Sequence, residues 1–578
     1  MPLRWAIRLE NRWNGFRARL RGLSRSRSSR SVRAALETPA SPLQGSPTSG
    51  VHSAGRAVMQ EQKTSVLVVG GGVVGLSSAL FLANAGVAVT LVERHPGTSI
   101  HPRAWGWYER TLEIFRAAGI EEQVLDAAKG FADHRINGKV VSLLGKEIGR
   151  QILPDGDDLR AITPCKHVSL GQDRMEPIVR AAAAAAGAEL LFNTALTELT
   201  QDADGVTAIV VDRVDGEERR IKADYVIAAD GARSPLREKL GVAAHGRPAF
   251  RHQVSILFRA DLTGPLDGRR FSICQIENPE FTAVLGHDDT LTEGTLIVTY
   301  KPEDGESVED FTVERSIDLV RAAIGDPEYP VEIRDVLPWE MAGVVAERLR
   351  VDRVFFAGDS AHIVPPIGGY GANLGIHDAH NIAWKLAAVL HGHAGVELLA
   401  TYEAERAPVA RLTVAQGGLR LAMRAGFATD EQKSQVIDPL AMTLGYRYTE
   451  GQPIHPSQLS GEPGTRAPHL WLDGDIESTV DLFGMDFVLL TGPDGQAWVE
   501  AAQKLAARTE VPVTAFRFGT DLTDRDGVFG TAYGVPADGA ALVRPDGFVA
   551  WRSTGPVDQA ETELAAALST ALARTDVA

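Results

Sequence analysis

The chain of 578 residues contains only two cysteines, Cys165 and Cys274, and they form no C-x-x-C or metal-ligand pattern. A disulfide framework is therefore not expected, and a reducing, cytoplasmic location is favoured. No uninterrupted apolar run reaches the length that crosses a bilayer, so no membrane partner is predicted. Basic residues are also scarce: 59 Lys and Arg against 75 Asp and Glu give a net charge of −16. This balance argues against nucleic acid and anionic membranes as main partners.

The first 58 residues differ from the rest of the chain in their charge. They contain eleven arginines, two glutamates and no lysine, with a serine-rich run at 23–32. This composition is typical of an organellar transit peptide. However, Met59 stands just before the first clear motif, so we favour an over-extended translation start. In either case we expect a disordered extension over residues 1–58.

The strongest pattern lies at residues 65–94, SVLVVGGGVVGLSSALFLANAGVAVTLVER. An apolar run ends at glycines, helical apolar spacing follows, and a second apolar run ends at Glu93, which predicts one βαβ unit. Gly70, Gly72 and Gly75 form G-x-G-x-x-G at the strand-to-helix turn, where a helix N-terminus binds a pyrophosphate. Glu93 is placed to accept hydrogen bonds from a ribose diol. The pattern therefore predicts a dinucleotide site.

Two later apolar strands also run into an acid beside a glycine, at Asp230-Gly231 and at Gly358-Asp359. Ligands of open α/β sheets bind at the carboxyl ends of the strands, so both acids are candidate site residues. A Pro-Pro and glycine-rich loop follows Asp359 and would hold backbone N–H groups against an electron-rich ring edge. Three histidines follow, but no carboxylate or cysteine completes a convincing ligand set with them, so no metal site is predicted: His362, His377 and His380.

The remaining stretches predict a second sheet and a further domain. Residues 133–168 predict short strands in a small inserted sheet, and residues 251–337 are β-rich with few helix signals. Residues 426–465 are rich in Gly, Pro and polar residues, as is typical of a linker. A separate unit with strands and helices begins near residue 466.

In this order, the three glycine- and acid-containing sites resemble the single-component FAD-dependent aromatic monooxygenases, the class of p-hydroxybenzoate hydroxylase and phenol hydroxylase. The segments HPRA…RTLEIFRAAGI and PPIGGYGANLGIHDAHNIAWKLAAVL are most similar to polyketide-tailoring hydroxylases. The tail GVPADGAALVRPDGFVAWR resembles the thioredoxin-like domain of the larger members, and because it lacks a C-x-x-C we expect it to be structural. The resemblance covers residues 59–578.

The resemblance implies an α/β fold with a Rossmann-like (GR2-type) FAD-binding domain, an inserted β-sheet substrate domain and a C-terminal thioredoxin-like domain. The expected boundaries are 59–236 and 344–425 for the FAD-binding domain, with a small inserted sheet near 130–165, 237–343 for the substrate domain, 426–465 for the linker and 466–578 for the thioredoxin-like domain.

The resemblance also implies which residues bind FAD. The glycines of the first turn would hold the pyrophosphate and Glu93 the adenosine ribose, while Arg103 and Gln172 would contact the phosphate and ribityl region. The acids after the later strands would lie near the pyrophosphate and ribityl group, and backbone N–H groups would face the flavin pyrimidine edge. These further residues are Asp230, Gly231, Asp359, Pro366, Gly371, Ala372 and Asn373.

No catalytic residue is identified from the sequence. Phenol hydroxylases carry an acid at the position of Trp105, so activation of a simple phenol by that acid is not expected here. Four aromatic residues are instead candidates for the wall of a pocket for a flat, multi-ring substrate: Trp105, Trp107, Tyr108 and Tyr370. Core packing is the alternative explanation for the same residues.

The resemblance implies an FAD- and NAD(P)H-dependent monooxygenase that hydroxylates a small phenolic or polycyclic, polyketide-type aromatic through a flavin C4a-hydroperoxide, with O₂ as co-substrate. No second G-x-G-x-x-G is present, so NADPH or NADH would dock only transiently. Two alternatives stay open: a catabolic phenol or chlorophenol hydroxylase, and an aromatic-drug-binding flavoprotein that acts as an uncoupled NAD(P)H oxidase. A monomer or homodimer is expected.

Overall fold

Three β-sheets form the framework of the part of the chain that the structure describes. The computed structural model describes residues 60–153, 159–279, 281–484, 486–554, 559–575 and 577. The expectation for residues 1–58 lies outside these ranges. Among the described residues, no helix is long and apolar enough to cross a membrane.

The strands and helices follow one another in a mixed order. The strands are β1 (Gln60–Val69), β2 (Val89–Val92), β3 (Gly106–Trp107), β4 (Ile136–Val140), β5 (Glu147–Ile152), β6 (Val168–Ser169), β7 (Glu189–Leu191), β8 (Thr194–Gln201), β9 (Val206–Asp212), β10 (Glu218–Ala228), β11 (Ala244–Arg259), β12 (Phe271–Glu277), β13 (Thr282–His287), β14 (Glu293–Tyr300), β15 (Glu332–Ala346), β16 (Arg350–Val351), β17 (Val354–Phe356), β18 (His362–Ile363), β19 (Leu472–Asp473), β20 (Phe487–Thr491), β21 (Val513–Arg517), β22 (Thr523–Asp524), β23 (Ala540–Val543) and β24 (Val549–Arg552). The α-helices are α1 (Val73–Asn84), α2 (Glu109–Ala117), α3 (Glu121–Ala128), α4 (Gln172–Ala186), α5 (Pro235–Lys239), α6 (Thr263–Leu266), α7 (Val313–Ile324), α8 (Tyr370–Leu390), α9 (Thr401–Arg424), α10 (Asp430–Ser434), α11 (Pro439–Leu444), α12 (Gln496–Thr509), α13 (Phe529–Tyr533) and α14 (Ala560–Leu572).

The first sheet is mainly parallel, with the order β16-β17-β10-β1-β2-β7, and the antiparallel strands β9 and β8 extend it from β10. The last four residues of β1 and all four of β2 are buried, because helices cover both faces of the parallel strands. Strands β17, β10, β1 and β2 all run in the same direction. Their carboxyl ends therefore meet at one edge of the sheet, where the predicted acids and glycines follow.

The second sheet has eight strands in the order β18-β15-β11-β14-β13-β12-β4-β5. Strands β4 and β5 belong to it, because β12 pairs with β4 in parallel. The expectation of a separate small sheet near residues 130–165 is therefore wrong: those strands extend the substrate-domain sheet instead.

One face of the second sheet is covered by α7. Val320, Ala323 and Ile324 of α7 pack into a core with Val254, Ile256 and other residues of that sheet face. The sequence indicated few helix signals in this region, so this twelve-residue helix corrects that interpretation. Because side chains alternate along a strand, the opposite face of the sheet is turned away from α7.

The third sheet has the order β21-β20-β23-β24, with β20 and β21 parallel and the other pairs antiparallel. Helices α12 and α14 pack on one face of this sheet. This βαβ unit followed by a hairpin and a helix agrees with the predicted thioredoxin-like domain. Trp384 and Leu398 of the preceding domain are part of the same core, so the C-terminal domain shares buried apolar surface with α8.

Residues 426–465 are more than a polar connection. They contain α10 and α11, and Met442, Leu444 and Tyr446 are buried. Met442 and Tyr446 pack with Tyr370 and Leu374 of α8 in one cluster. The expectation of a simple linker is corrected accordingly, because its polar composition hides a short apolar stretch.

Buried charges also join the C-terminal domain to the helices before it. Glu405 of α9 accepts hydrogen bonds from Lys385 at 2.7 Å and from Arg544 at 2.6 and 2.9 Å. Arg544 is also paired with Asp546 at 2.6 Å. We call this set the Arg544 cluster; it consists of Lys385, Glu405, Arg544 and Asp546. Removal of one partner from a buried pair typically costs about 3–5 kcal/mol, since the other charge stays buried.

Candidate functional site

The glycine-rich turn between β1 and α1 has the conformation that its sequence predicts. Gly70 has φ +109°, and a Cβ at this position would collide with the carbonyl oxygen of Ala229. A Cβ at Gly75 would collide with the carbonyl oxygen of Gly70. At Gly72, the N-cap of α1, the nearest atom to an added Cβ is 3.8 Å away. Gly70 and Gly75 are therefore required for packing, whereas Gly72 faces open space.

Glu93 follows β2 and contacts the same turn. Its carboxylate accepts a hydrogen bond from the backbone N–H of Gly71 at 2.5 Å and from that of His95 at 2.8 Å. The ring Nδ1 of His95 also lies 2.6 Å from Oε1. A carboxylate has about four acceptor positions, so one is left for a ligand hydroxyl. The contact to Gly71 fixes the acid beside the glycine turn.

Glu176 is a site residue that the sequence analysis did not identify. Its buried carboxylate accepts hydrogen bonds from the backbone N–H groups of Val73 at 3.0 Å and Ser99 at 2.7 Å, and from the amide of Gln172 at 2.6 Å. Gln172 thus contacts Glu176, four residues later on α4, and its N–H is bonded to the carbonyl of Ala104. The i, i+4 spacing of Gln and Glu on one helix was the signal available in the sequence.

Arg103 and Asp359 lie in the same electrostatic neighbourhood. Burial raises the pKa of Asp359, and His362 and Arg103 oppose that rise. Burial likewise raises the pKa of Glu176, where Arg103 is again among the opposing groups. The side chains of Arg103 and Asp359 nevertheless keep contact with solvent. Arg103, Glu176 and Asp359 are therefore neighbours, although they come from three separate segments of the chain.

Asp230 is engaged mainly in local structure. Its carboxylate accepts hydrogen bonds from the hydroxyl of Ser234 at 2.6 Å and the backbone N–H of Leu236 at 3.0 Å, which fixes the start of α5. Gly231 has φ +83°, a value that glycine adopts without strain. Burial raises the pKa of Asp230, and the bonds from Ser234 and Leu236 oppose that rise.

The loop after β18 leads into the N-terminus of α8. Pro366 is exposed and precedes Gly369, the N-cap of α8, which has φ +66°. Gly371 and Ala372 lie in the first turn of α8, where backbone N–H groups have no partner within the helix. No other described residue accepts a hydrogen bond from them. These two donors are therefore available to a ligand.

Asn373 connects this loop to the segment around Trp105 through its side chain. Its Oδ1 accepts hydrogen bonds from the backbone N–H of Tyr108 at 3.0 Å and the hydroxyl of Thr111 at 2.6 Å. Its Nδ2 donates to the carbonyls of Gly106 at 3.0 Å and Gly369 at 2.9 Å. The side chain, 2% exposed, thus uses all four of its positions within the protein.

The four aromatic residues do not form one wall. Trp107 is fully buried in the core of the first domain, and its Nε1 donates to the carbonyl of Leu170 at 2.8 Å. Its assignment to the pocket is therefore corrected in favour of core packing. Tyr108 and Tyr370 stack at 5.5 Å, and the hydroxyl of Tyr108 bonds to the carbonyl of Gly368.

Trp105 lies against the second sheet. A Cβ at Gly286 of β13 would be 3.2 Å from the indole of Trp105, which also packs edge-on to Phe131. Trp105 is only partly buried. It therefore stands between the first domain and the face of the second sheet that is turned away from α7.

The three histidines singled out in the sequence have separate surroundings. His362 and Arg406 are both paired with the buried carboxylate of Asp378, at 2.6 and 2.8 Å. His377 lies 3.2 Å from the hydroxyl of Thr111, and the ring of His380 meets that of Phe81 edge-on. Asp378 also accepts from the backbone N–H of Gly358, so this buried set fixes the turn that carries Asp359.

The arrangement fits a dinucleotide that carries a flat ring. The first turns of α1 and α8 are close neighbours: a Cβ at Gly358 would be 2.8 Å from Val74 of α1, and one at Gly375 of α8 would also meet Val74. No described residue accepts a hydrogen bond from the N–H groups of Gly72 or Val74. Two sets of helix N-terminal donors thus lie near each other, as an extended anionic ligand requires.

Comparison with known protein families gives two matches that cover most of the chain. A family model described as an FAD binding domain matches residues 63–417. A second model, described as the C-terminal domain of aromatic-ring hydroxylases, matches residues 460–575.

Individual proteins match over nearly their whole length. The tetracenomycin A2 monooxygenase-dioxygenase of Streptomyces glaucescens is 41% identical, over 89% of this chain and 98% of the relative. The 4-methyl-5-nitrocatechol 5-monooxygenase of a Burkholderia species is 40% identical, over 88% and 97%. The crystal structure of aklavinone-11 hydroxylase with FAD and aklavinone superposes with a TM-score of 0.82 at 38% identity, over 89% of this chain and all of the other.

Proposed function

The chain belongs to the FAD-dependent aromatic-ring hydroxylases, and from this premise we propose that it hydroxylates a polycyclic phenolic substrate of the polyketide type. In the overall reaction one aromatic C–H becomes C–OH, the second atom of O₂ leaves as water, and NAD(P)H supplies two electrons. FAD, when bound, supplies the chemistry that activates oxygen. The names of the tetracenomycin and aklavinone enzymes support the substrate class. The FAD-dependent family predicted from the sequence is confirmed by the two family matches.

The residues described above would hold FAD by complementary charge and backbone donors. Gly70, Gly72 and Gly75 would admit the pyrophosphate at the N-terminus of α1, and Glu93 would accept hydrogen bonds from the adenosine ribose. Arg103 would pair with a phosphate oxygen, as its exposed guanidinium suits an anion.

The donors of α8 would serve the other end of the cofactor. The N–H groups of Gly371 and Ala372, with that of Asn373, would face the ring edge on which negative charge develops during reduction. Gln172, Asp230, Gly231, Asp359 and Pro366 would complete the surroundings of the phosphate and ribityl region.

The juxtaposition of the two helix N-termini with the second sheet is the observation that carries the proposal. The substrate would lie on that sheet face beside Trp105, which is in contact with the sheet at Gly286. There the protein would keep water from the reacting carbon. A phenol that is conjugated with a carbonyl group is already acidic, so a polyketide phenol needs little help from a protein base. Tyr108 and Tyr370 would border the substrate on the side of α8.

Hydroxylation of a monocyclic catechol or phenol is the second candidate function. It is favoured by the 4-methyl-5-nitrocatechol enzyme, which is as similar to this chain as the polyketide enzymes are. A nitro group acidifies a phenol as a conjugated carbonyl does. The two candidates therefore differ in the size of the substrate more than in its activation.

Reductant consumption by the full, FAD-loaded chain tests the proposal. We expect that one member of a panel of hydroxylated anthraquinones, naphthacenes, nitrocatechols and simple phenols stimulates NADPH or NADH oxidation strongly. We also expect a product that has gained one oxygen atom, in an amount equal to the reductant used. Stimulation only by a monocyclic compound would favour the second candidate. Hydrogen peroxide in place of product for every compound would contradict both and indicate an uncoupled oxidase.

A further inference from the structure

The face of the second sheet that is turned away from α7 looks into the candidate site. A Cβ at Gly286 of β13 would point at Trp105, and one at Gly343 of β15 would lie 3.4 Å from Pro365. Both neighbours belong to segments of the candidate FAD site. The side chains that share this face therefore border the space in which a substrate would meet the cofactor.

Three hydroxyl groups stand on this face, on two adjacent strands. Ser255 of β11 is paired across the ladder with Ile297 of β14, and Thr295 and Thr299 stand two residues to either side of Ile297. Because side chains alternate, all three point to the face opposite the core that contains Val254 and Ile256. Ser255 is 8% exposed and Thr295 is 5% exposed.

The hydrogen bond between Ser255 and Trp339 has a defined direction. The indole Nε1 of Trp339 is 2.9 Å from Oγ of Ser255, and an indole N–H can only donate. Ser255 is therefore the acceptor in this bond, and its own O–H proton is left for another partner. No described residue accepts a hydrogen bond from it.

The hydroxyl protons of Thr299 and Thr295 also lack an acceptor among the described residues. The amide Nε2 of Gln253 donates to Oγ1 of Thr299 at 2.9 Å, which leaves the Thr299 proton without an acceptor among the described residues. The hydroxyl of Thr295 is buried and has no partner at all among them. A buried donor without an acceptor costs about 1–3 kcal/mol, so such donors are expected to be satisfied when a ligand binds.

The residues directly across the ladder from the three hydroxyls are mostly uncharged. The residues across the ladder from Gln253, Ser255 and Leu257 are uncharged except for one, Asp335. Asp335 is paired with His101 at 2.8 Å. The stretch beside the three hydroxyls thus offers hydroxyl protons and has no arginine or lysine directly across the ladder. Arg251 and Arg259 share the face but lie at the two ends of this stretch, and Arg259 is paired with Glu293 at 2.9 Å.

We infer that Ser255, Thr295 and Thr299 determine specificity by donating hydrogen bonds to carbonyl or similar acceptor oxygens of an aromatic substrate that carries no carboxylate at this edge. The inference rests on the proposed function and narrows its substrate class. It assigns the oxygen-bearing edge of the ring system to the second sheet. An aromatic without such oxygens would leave the three donors unsatisfied, and a carboxylate placed beside these hydroxyls would have no arginine or lysine directly across the ladder to pair with.

Binding to the FAD-loaded full chain tests this inference separately from turnover. The probes are 1-hydroxyanthraquinone, 1-hydroxyanthracene, which lacks the two carbonyl oxygens, and anthraquinone-2-carboxylate, each followed by quenching of flavin fluorescence. We expect the quinone to bind at least roughly ten-fold more tightly than either of the others, because one hydrogen bond is worth about 0.5–1.5 kcal/mol. A compound can bind without being hydroxylated, so failure of the proposed function would appear only in the turnover assay.

Variants then identify the donors. Ser255→Ala and Thr299→Val are each expected to weaken quinone binding roughly three- to ten-fold and to leave the anthracene affinity within about two-fold. Thr299→Ser, which keeps the hydroxyl, is expected to retain wild-type affinity and serves as the check that any loss is not a folding defect. Ser316→Ala removes a buried hydroxyl from α7, behind the sheet, and is the matched control. Equal effects on quinone and anthracene, or no preference for the quinone, would overturn the inference.

Discussion

Asn373 offers the most direct test of how the candidate site is held together. Its orientation is fixed by chemistry: a backbone N–H must face Oδ1, and two carbonyls must face Nδ2. Asn373→Ala removes four hydrogen bonds, each worth about 1 kcal/mol net, so we expect a loss of about 4 kcal/mol in the free energy of unfolding. Urea unfolding of the FAD-free protein measures this directly.

The same substitution is expected to weaken FAD binding as well. The side chain of Asn373 links the segment after Arg103 to the first turn of α8. Without it, no hydrogen bond from this position holds the two segments in their relative positions. We expect the Kd for FAD to rise roughly ten-fold or more, which corresponds to about 1.4 kcal/mol. Titration of the FAD-free protein with FAD, followed by flavin fluorescence, gives this Kd.

Asn381 supplies a matched control on the same helix. Its Nδ2 contacts Glu405, Tyr448 and Asp546 at 2.8–3.3 Å, on the side of the C-terminal domain. Asn381→Ala is expected to cost a similar amount of stability but to leave the Kd for FAD within about two-fold. Asn373→Asp places an oxygen against two carbonyls and is expected to be at least as harmful as alanine. Wild-type stability of Asn373→Asp, or equal loss of FAD by both alanine variants, would refute this account.

Three further predictions follow from the packing and the charges. Gly72→Ala is expected to keep the stability of the FAD-free protein but weaken FAD binding, whereas Gly75→Ala should unfold it, as thermal melts and FAD titration would distinguish. Burial alone would raise the pKa of Glu113, but Arg466 and Arg110 outweigh it and lower that pKa to about 2. Its stabilisation is therefore complete above about pH 4.5 and should fall by about 3 kcal/mol as the pH drops toward 2. Urea midpoints should show this loss in the wild type and not in Glu113→Gln. Trp107→Phe should cost about 2–3 kcal/mol of stability and leave substrate affinity unchanged, whereas Trp105→Ala should weaken substrate binding. A change in substrate affinity for Trp107→Phe would contradict its place in the core.

Local sequence was sufficient to predict the parts of the site that depend on neighbours along the chain. The glycine turn, Glu93 and the acids after β10 and β17 are each specified within a few residues, because a parallel strand and the turn after it form one unit. Their meeting at one edge follows from the parallel pairing of β17, β10, β1 and β2. The fold class could therefore be predicted together with these positions.

The errors concern contacts between residues that are distant in sequence. Strand β4 pairs with β12, more than 130 residues later, and no local sequence pattern identifies β12 as its partner. The aromatic pattern at Trp105 and Trp107 is equally consistent with a pocket wall and with core packing. Only the tertiary contacts distinguish the two roles. Asn373 was predicted to act through its backbone, but the role of its side chain depends on Tyr108, more than 260 residues away.

Helix α8 runs from the candidate FAD site to the Arg544 cluster, a length of about 30 Å for its 21 residues. This continuity limits where the gene can be recombined with that of a relative. In a chimaera joined between residues 425 and 466, Lys385 and Glu405 would come from one parent and the residues at positions 544 and 546 from the other. The buried pairs of the cluster would then be mismatched. Crossovers at the ends of β11 and β15 leave that cluster intact and exchange the hydroxyl-bearing face. New substrate ranges are thus expected to be transferable with the central strands, whereas the C-terminal domain must be inherited together with α8 and α9.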